Sequence, residues 1–220
     1  LMVKDDVFKD FKPDAVFGMH VVSSLNVGLV GVRPGGAMAS SDAFHIIVHG
    51  KQTHGAVPWA GIDPIVTAAE IVTAAQTIVS RQLDISKNPA VLTFGTFHGG
   101  TRFNIVPDSA ELTGTIRTFD EGMRKQIMDS LRRTAEHVAA ANGATVDAQI
   151  PSSESTNPVN YNDPALTARV RESLEKAVGK DKVIESPRWT ASEDFPYFAL
   201  GAKAPSVYFF VGATPSGQDA

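Results

Sequence analysis

An α/β fold interrupted by an inserted ferredoxin-like α+β unit is predicted by two features of the sequence. Short apolar runs typical of buried strands lie near both ends of the chain, at residues 15–21 and 206–211. Between them, strand and helix patterns follow one another in the order β-α-β-β-α-β, which is the order of a ferredoxin-like unit. We therefore expect residues 1–41 and 152–220 to be parts of one α/β domain, and residues 42–151 to be the inserted domain.

The first half of the chain predicts three further elements after the opening strand. Residues 27–32 form a second short strand, which the turn-forming sequence RPGG closes. Phe44, Ile46 and Val48 then alternate with their neighbours, as in a strand with one apolar face. Asp63 and the proline that follows it are an N-cap and a first-turn residue, and apolar residues then recur at helical spacing.

The second half completes the inserted unit and returns to the α/β domain. Residues 90–98 and 109–118 are β-rich runs joined by a glycine-containing loop. Asp120 caps a second amphipathic helix, and residues 144–150 supply the last strand of the unit. Asp163 and the next proline begin a third helix, which the pattern ends at a glycine sixteen residues later.

Composition excludes several classes of protein. The chain has 220 residues, a net charge of -4 and no cysteine, so a disulfide framework, a thiolate nucleophile and a basic nucleic-acid-binding surface are not expected. The most apolar stretch, residues 62–79, contains charged residues and a proline and is too short to span a bilayer. The opening residues lack the pattern of a signal peptide. We therefore expect a cytoplasmic protein without nucleic-acid or membrane partners.

Five places in the sequence could carry chemistry, and each also has a structural explanation. His20 ends a buried strand, where α/β proteins place their sites, although a structural histidine is commoner there. His54 lies in a loop where a solvated histidine is the simpler interpretation. The long loop from Gly99 could bind a ligand or merely connect two strands, and Arg117 could clamp a carboxylate or face solvent. The Glu193-Asp194 pair could be the acidic first turn of a helix.

Taken together, these segments form a series of motifs in a specific order. The motifs are GMHV at 18–21, VGLVGVRPGGAMASSD at 27–42, GKQTHGAVPWAGIDP at 50–64, HGGTRFNIVPD at 98–108, LTGTIRTFD at 112–120 and SEDF at 192–195. The series resembles the aminoacylase-like zinc metallopeptidase superfamily. It is most similar to the amidohydrolase branch, which contains hippurate hydrolases, N-acyl-amino-acid hydrolases and auxin-conjugate hydrolases.

The resemblance implies a hydrolase of the C–N amide bond of N-acyl amino acids or similar small conjugates, which acts through metal-activated water. It implies an α/β catalytic domain with two divalent metal ions, zinc or alternatively manganese, cobalt or nickel. The ferredoxin-like unit would be a lid that also forms a homodimer, and the exposed strand at residues 90–98 would suit pairing across a two-fold axis.

The resemblance also implies roles for individual residues. His20 falls on a metal ligand, and His54 falls on a lid histidine that polarises the scissile carbonyl. The remaining positions would bind substrate or support the metal site: Asn104, Arg117, Gly99 and Gly100 for substrate, and Glu193 and Asp194 for support behind the metal ligands.

Other family motifs are missing from these residues. The His/Cys/Gly/His/Asp motif and the Glu-Glu pair that precede the GMHV strand in relatives are not found, nor is the histidine near the C-terminus. We therefore expect an internal segment of a longer enzyme, with an incomplete metal site and no activity alone. Two alternatives stay open: a non-catalytic dimerisation and substrate-recognition module, and a regulatory small-ligand domain of similar topology. Trp59 stands where relatives commonly carry histidine, and Thr190-Ala191 replaces a frequent Met-Gly, which bears on substrate preference.

Overall fold

The computed structural model describes residues 2–153, 156–215 and 218. Two compact units are present, one formed by residues 1–40 with 157–220 and the other by residues 41–156. The mixed α/β class predicted from the sequence is confirmed. The strands are β1 (Val16–Asn26), β2 (Val30–Val32), β3 (Gly35–Met38), β4 (Ser41–His49), β5 (Thr53–His54), β6 (Ala90–Gly99), β7 (Ile105–Val106), β8 (Ser109–Thr118), β9 (Thr145–Gln149), β10 (Thr156–Asn157), β11 (Asn160–Asn162), β12 (Val183–Glu185) and β13 (Ser206–Thr214). The α-helices are α1 (Pro64–Thr77), α2 (Glu121–Ala141), α3 (Pro164–Val178) and α4 (Pro196–Ala202).

The first unit is built on a four-stranded sheet in the order β1-β13-β2-β12. β1 runs parallel to β13, β13 antiparallel to β2, and β2 parallel to β12. Helix α3 packs its apolar side on this sheet, in a cluster that contains Val32, Leu166 and Val207. A second cluster contains Val22, Phe195, Tyr208 and Phe210. Val207 and Tyr208 are adjacent in β13, so successive side chains of that strand pack in different clusters.

The predicted strand at 27–32 begins later than expected, while the opening strand is longer. β1 continues to Asn26, and a turn follows in which the amide of Leu29 donates to the carbonyl of Asn26 at 3.1 Å. Gly28 has a φ of 90°, which glycine adopts at no steric cost. The apolar residues at 27 and 29 favour a strand in the sequence, but the glycine between them forms a turn in the structure.

The second unit has the strand order β9-β4-β8-β6, and all of these neighbours are antiparallel. The two-residue strand β10 also adjoins β4. Helices α1 and α2 pack on one face of the sheet, and their buried residues share one core with the inward side chains of the strands: Phe44, Ile46, Ile71, Leu112, Ile127 and Leu131. The order of elements agrees with the β-α-β-β-α-β pattern predicted from periodicity.

All three predicted helix caps are confirmed. The Asp63 carboxylate accepts from the amides of residues 65 and 66 at 2.9 and 3.2 Å. Asp120 accepts from the amide of residue 123 at 2.7 Å, and Asp163 from that of residue 166 at 2.8 Å. Each bond satisfies a backbone donor that the first turn of a helix leaves open. Across the described part of the chain, no helix combines the length and the apolar character that crossing a bilayer requires.

Candidate functional site

His20 lies on β1 in the first unit, and its ring is oriented by its own backbone. Nδ1 lies 2.7 Å from the carbonyl oxygen of Val21, so in the neutral ring Nδ1 carries the proton and donates it. The lone pair is then on Nε2, which is the atom that a neutral histidine offers to a metal ion. The side chain is 48% exposed, so it does not point into packed apolar surroundings.

Glu193 supplies a carboxylate next to that lone pair. Its Oε1 lies 3.6 Å from Nε2 of His20, which is longer than a hydrogen bond. A carboxylate at this distance would place negative charge beside a cation held at Nε2, which suits the supporting role expected of Glu193.

Tyr208 is a buried tyrosine of β13. Its burial, followed by the negative charges of Glu193 and Asp194, raises the pKa of Tyr208 to about 12. Phe195 packs against the Tyr208 ring at a centroid distance of 5.0 Å. The predicted acidic pair does not lie within a helix, because α4 begins only at Pro196.

Among the described residues, His20 is the candidate metal donor, with the Glu193 carboxylate beside it. No three His, Asp or Glu side chains within residues 2–153, 156–215 and 218 come together in a way that could bind a metal ion. An open imidazole lone pair beside a carboxylate suits a divalent ion of the zinc type. The chemistry of these donors therefore fits the expected metal, and further ligands would have to come from elsewhere.

His54 and Asn104 are brought together in the second unit. The short strands β5 and β7 pair His54 with Ile105, and the amide of Gly55 donates to the carbonyl of Asn104 at 2.8 Å. The amide of Ala56 donates to Nδ1 of His54 at 3.1 Å. In the neutral ring the proton is therefore on Nε2, which is free to donate to a ligand. Both side chains are exposed.

The loop that carries His54 is closed by its own backbone. Lys51 and Ile62 exchange two hydrogen bonds at its base, of 2.9 and 3.0 Å. A Cβ on Gly61 would lie 2.5 Å from the Lys51 carbonyl oxygen, and one on Gly55 would lie 3.0 Å from that of Asn104. Glycine permits these close approaches, and they hold the imidazole in a defined place.

Gly99 and Gly100 end β6 beside this loop. Gly100 has a φ of 75°, which favours glycine. The space that a side chain on Gly99 would need is taken by Ile65 of α1, 3.0 Å from the ideal Cβ position. A cavity of about 360 Å³ adjoins Gly100 and is also lined by Arg102 and Asp108. The sequence interpretation missed these two charged residues, although Arg102 stands inside the GGTRFN motif.

Arg117 does not share the loop of His54 and Asn104. It pairs with Val91 near the far end of β8, whereas the first residue of that strand, Ser109, pairs with His49 next to the loop. Eight residues of extended strand separate the two ends, or ~27 Å. The structure therefore brings together two of the three predicted lid residues and separates the third.

The observed class is a mixed α/β protein of two compact units, each with one candidate histidine site, and comparison with known proteins supplies the family. Residues 39–143 match the model of the peptidase dimerisation domain of the M20 family. Thermostable carboxypeptidase 2 of Saccharolobus solfataricus is 39% identical over 90% of this chain and 49% of its own length. N-acetyl-L-cysteine deacetylase of Bacillus subtilis is 38% identical over 84% of this chain and 43% of its own length.

Solved structures agree with these relatives. An aminohydrolase structure from methicillin-resistant Staphylococcus aureus superposes with a TM-score of 0.89 at 31% identity, over 99% of this chain and 54% of that one. A dinuclear metal-binding M20 peptidase of Bacillus subtilis gives 0.76 at 28% identity, over 99% and 52%. The chain belongs to the M20 peptidase family, as its motifs indicated. It spans about half the length of the curated relatives that it matches.

Proposed function

We propose that this chain is part of a metal-dependent amidohydrolase that cleaves the amide bond of N-acyl amino acids or similar small conjugates. The observation that carries the proposal is that His20 and His54, both exposed, have Nδ1 engaged by the backbone in opposite senses, which leaves Nε2 of each ring available for a different role. His20 offers a lone pair at Nε2, and His54 offers a proton at Nε2. A lone pair serves metal binding, and a proton donor serves the oxygen of a carbonyl under attack.

Relatives support the substrate class and the cofactor. The Bacillus subtilis relative is an N-acetyl-L-cysteine deacetylase, and the structural neighbour from that organism is a dinuclear metal-binding peptidase. When bound, such a metal pair supplies Lewis-acid activation of water. Zinc is the metal we propose, because neutral imidazole and carboxylate suit it; manganese, cobalt and nickel are the alternatives.

The residues of this chain would then act as follows. His20 binds metal through Nε2, and Glu193 with Asp194 supports the site from behind. His54 donates a hydrogen bond from Nε2 to the substrate carbonyl oxygen, where negative charge develops as water adds to the carbonyl carbon. Asn104, next to His54, holds the polar end of the substrate. Gly99 and Gly100 have no side chains, so the substrate can approach the backbone of the protein there.

We propose that the protein forms a homodimer and that Arg117 contributes to substrate binding within this dimer. Arg117 lies at the other end of β8 from Asn104, so the two could meet one small substrate only if they came from different protomers. The match to a dimerisation domain and the position of β6 at a sheet edge support this arrangement. Sedimentation of the parent protein tests the dimer, and cell fractionation tests the expected cytoplasmic location.

The proposal predicts different outcomes for the two histidines in the parent protein. His54→Ala should lower the turnover number for an N-acetyl amino acid by ~100-fold or more, because a donor to the developing oxyanion is lost, with metal content unchanged. His20→Ala should instead reduce bound zinc, measured by elemental analysis. His137→Ala, an exposed histidine on α2, is the matched control and should change neither quantity. Near-normal turnover of the His54 variant would refute its role.

A second function fits the chain taken alone. Because no described group of three ligands could hold a metal, these 220 residues by themselves would serve as a dimerisation and substrate-recognition module. In that case the isolated chain should bind an N-acyl amino acid weakly, measured by calorimetry, and hydrolyse none. Hydrolysis by the isolated chain, with about two tightly bound metal ions, would rule this out.

A further inference from the structure

The second unit contains a cavity whose wall carries one positive and one negative side chain. Its volume is about 360 Å³, and both Arg102 and Asp108 line it. Two apolar residues, Ile105 and Pro107, line it as well. Small-molecule sites in proteins combine apolar walls with a few polar groups that orient the ligand. The cavity therefore has the size and the mixed lining that suit one end of a small molecule.

Arg102 and Asp108 share this cavity without forming an ion pair. Within the described part of the chain, the ion pairs all join other residues. Asp108 Oδ1 accepts a hydrogen bond from the hydroxyl of the adjacent Ser109, but at 3.4 Å this bond is long. Two opposite charges that are not paired with each other can each bind a charged group of a ligand. Both residues are exposed, so the competing explanation is that water alone solvates them.

Backbone hydrogen bonds fix the course of the chain at both charged residues. The carbonyl of Asp108 accepts from the amide of Gly50 at 2.8 Å. The carbonyl of Arg102 accepts from the amide of Ile105 at 3.4 Å. Pro107 restricts φ immediately before Asp108. The two charges are therefore carried by defined positions in the wall of the cavity.

The cavity adjoins the histidine that we propose to act on the substrate carbonyl. Ile105 of its wall pairs with His54 in the antiparallel ladder of β5 and β7, and the Cα atoms of such pairs lie ~4.5–5.5 Å apart. Arg102 precedes Ile105 by three residues, and Asp108 follows it by three. An amide carbonyl held at His54 would therefore lie nearest the apolar part of the wall. This arrangement suits a ligand with an apolar spacer between its amide and its charged end.

We propose that this cavity binds a substrate end that carries both a carboxylate and an ammonium group. The planar guanidinium of Arg102 binds the carboxylate, and the Asp108 carboxylate accepts hydrogen bonds from the ammonium. The inference rests on the proposed function, because it names the substrate class of that site: an acylated diamino acid with a free α-amino-acid end, such as Nε-acetyllysine. Its methylene chain lies along Ile105 and Pro107. Water replaces the ε-nitrogen on the acetyl carbon, which gives acetate and lysine, and the leaving nitrogen takes up a proton from that water.

Binding is tested first on the metal-free 220-residue chain, where no hydrolysis is needed. Titration with Nε-acetyllysine should give saturable shifts of the amide NMR signals of Gly100, Thr101 and Ser109, which line the cavity. Asp108→Asn keeps the size of the side chain and should weaken binding by ~10-fold or more, because a hydrogen bond between charged groups is lost. Asp129→Asn removes an exposed carboxylate elsewhere in the second unit and should bind as the wild-type chain does. The proposal is overturned by the absence of saturable shifts at the cavity, or by equal affinities of the two variants.

Hydrolysis by the metal-loaded parent protein tests which group each residue recognises. N-acetyl-ε-aminocaproate has the chain and the carboxylate of Nε-acetyllysine but lacks the α-amine. Asp108→Asn should lower kcat/KM for Nε-acetyllysine by ~10-fold or more and leave that for the caproate within ~2-fold, whereas Arg102→Gln should lower both. Arg81→Gln, at an exposed position of the second unit, is the matched control for the arginine and should change neither. Equal losses for the two substrates in the Asp108 variant would show that Asp108 does not recognise the ammonium group.

Failure of this inference and failure of the proposed function give different results. A parent protein that hydrolyses Nα-acetyl amino acids but not Nε-acetyllysine would keep the proposed function and refute the subsite for a doubly charged end. A parent protein that hydrolyses no N-acyl amino acid with zinc, manganese, cobalt or nickel would refute the proposed function. The NMR titration of the metal-free chain then still decides whether the cavity binds the charged end.

Discussion

His20 and His54 show how the backbone beside a side chain decides its chemistry. A carbonyl accepts from Nδ1 of His20, and an amide donates to Nδ1 of His54. The same residue type is thereby a lone-pair donor at one site and a proton donor at the other. The motifs single out these two histidines as candidates. They could not predict the tautomers, because each tautomer depends on a hydrogen bond between Nδ1 and a nearby backbone group. Only the folded backbone defines that hydrogen bond.

Tyr208 should make the chain sensitive to alkali. Its pKa is raised to about 12, chiefly by burial and then by Glu193, whereas an unfolded tyrosine titrates near 10. The folded state therefore keeps a proton that the unfolded state loses, and this contribution to stability is full below pH 10 and is lost as the pH rises to 12. The free energy of unfolding should fall by at most ~1.4 kcal/mol per pH unit from this group.

Denaturant unfolding of the chain at several pH values between 9 and 12 measures this slope. The informative quantity is the difference between the wild-type chain and Tyr208→Phe, because every other ionisable group is common to both. The variant should lose stability less steeply with pH. Equal slopes would mean that the phenol is no harder to ionise in the folded chain than in the unfolded one.

At the scale of elements, an aspartate fixes where each of the three longer helices, α1, α2 and α3, begins. Asp120 is the cap of α2, the longest helix described, which buries Ile127 and Leu131 in the core of the second unit. Asp120→Ala leaves the amide of residue 123 without its partner, so we expect a loss of ~1 kcal/mol in the free energy of unfolding, measured in urea. Asp129→Ala in the same helix removes an exposed charge and should cost less than half of this.

Periodicity predicted the long elements well and the short ones poorly. The strands and helices of the second unit have strong two-residue or helical repeats, because each buries one face in a shared core. β3, β5, β7, β10 and β11 have four residues or fewer, too few to show a period, and pair only through contacts between distant segments. The loop strands β5 and β7 belong to this group, so the sequence named His54 and Asn104 but could not show that they meet.

At the scale of the whole molecule, the two units differ in how completely they are packed. The core of residues 41–156 contains buried residues from both helices and three strands. In the first unit, alternate residues of β1 leave apolar side chains exposed: Phe17, Met19 and Val21 are 54%, 59% and 55% exposed. A solvent-facing row of this kind is unfavourable in an isolated protein. The second unit therefore has the more self-sufficient core.

The second unit also ties its two ends together with a buried ion pair. Asp42, at the start of β4, is 0% exposed and accepts two hydrogen bonds of 2.7 Å from Arg124 of α2. Thr156, at the other end of the unit, donates to the same carboxylate at 2.6 Å and accepts from Arg124 at 2.9 Å. The pairing with Asp42 raises the pKa of Arg124 above its ordinary value. One cluster thus fixes both ends of the segment to its longest helix.

We therefore expect residues 41–156, expressed alone, to fold and to unfold cooperatively on heating, as measured by calorimetry. In that segment Asp42→Ala should lower the free energy of unfolding by ~3–5 kcal/mol, because it leaves a largely buried guanidinium without its main partner. Glu121→Ala removes the other acidic partner of Arg124, which is exposed, and should cost no more than ~1 kcal/mol. Equal losses in the two variants would show that Asp42 and Arg124 behave as an ordinary surface pair. A broad, non-cooperative transition in the unmodified segment would show that its core depends on the rest of the chain.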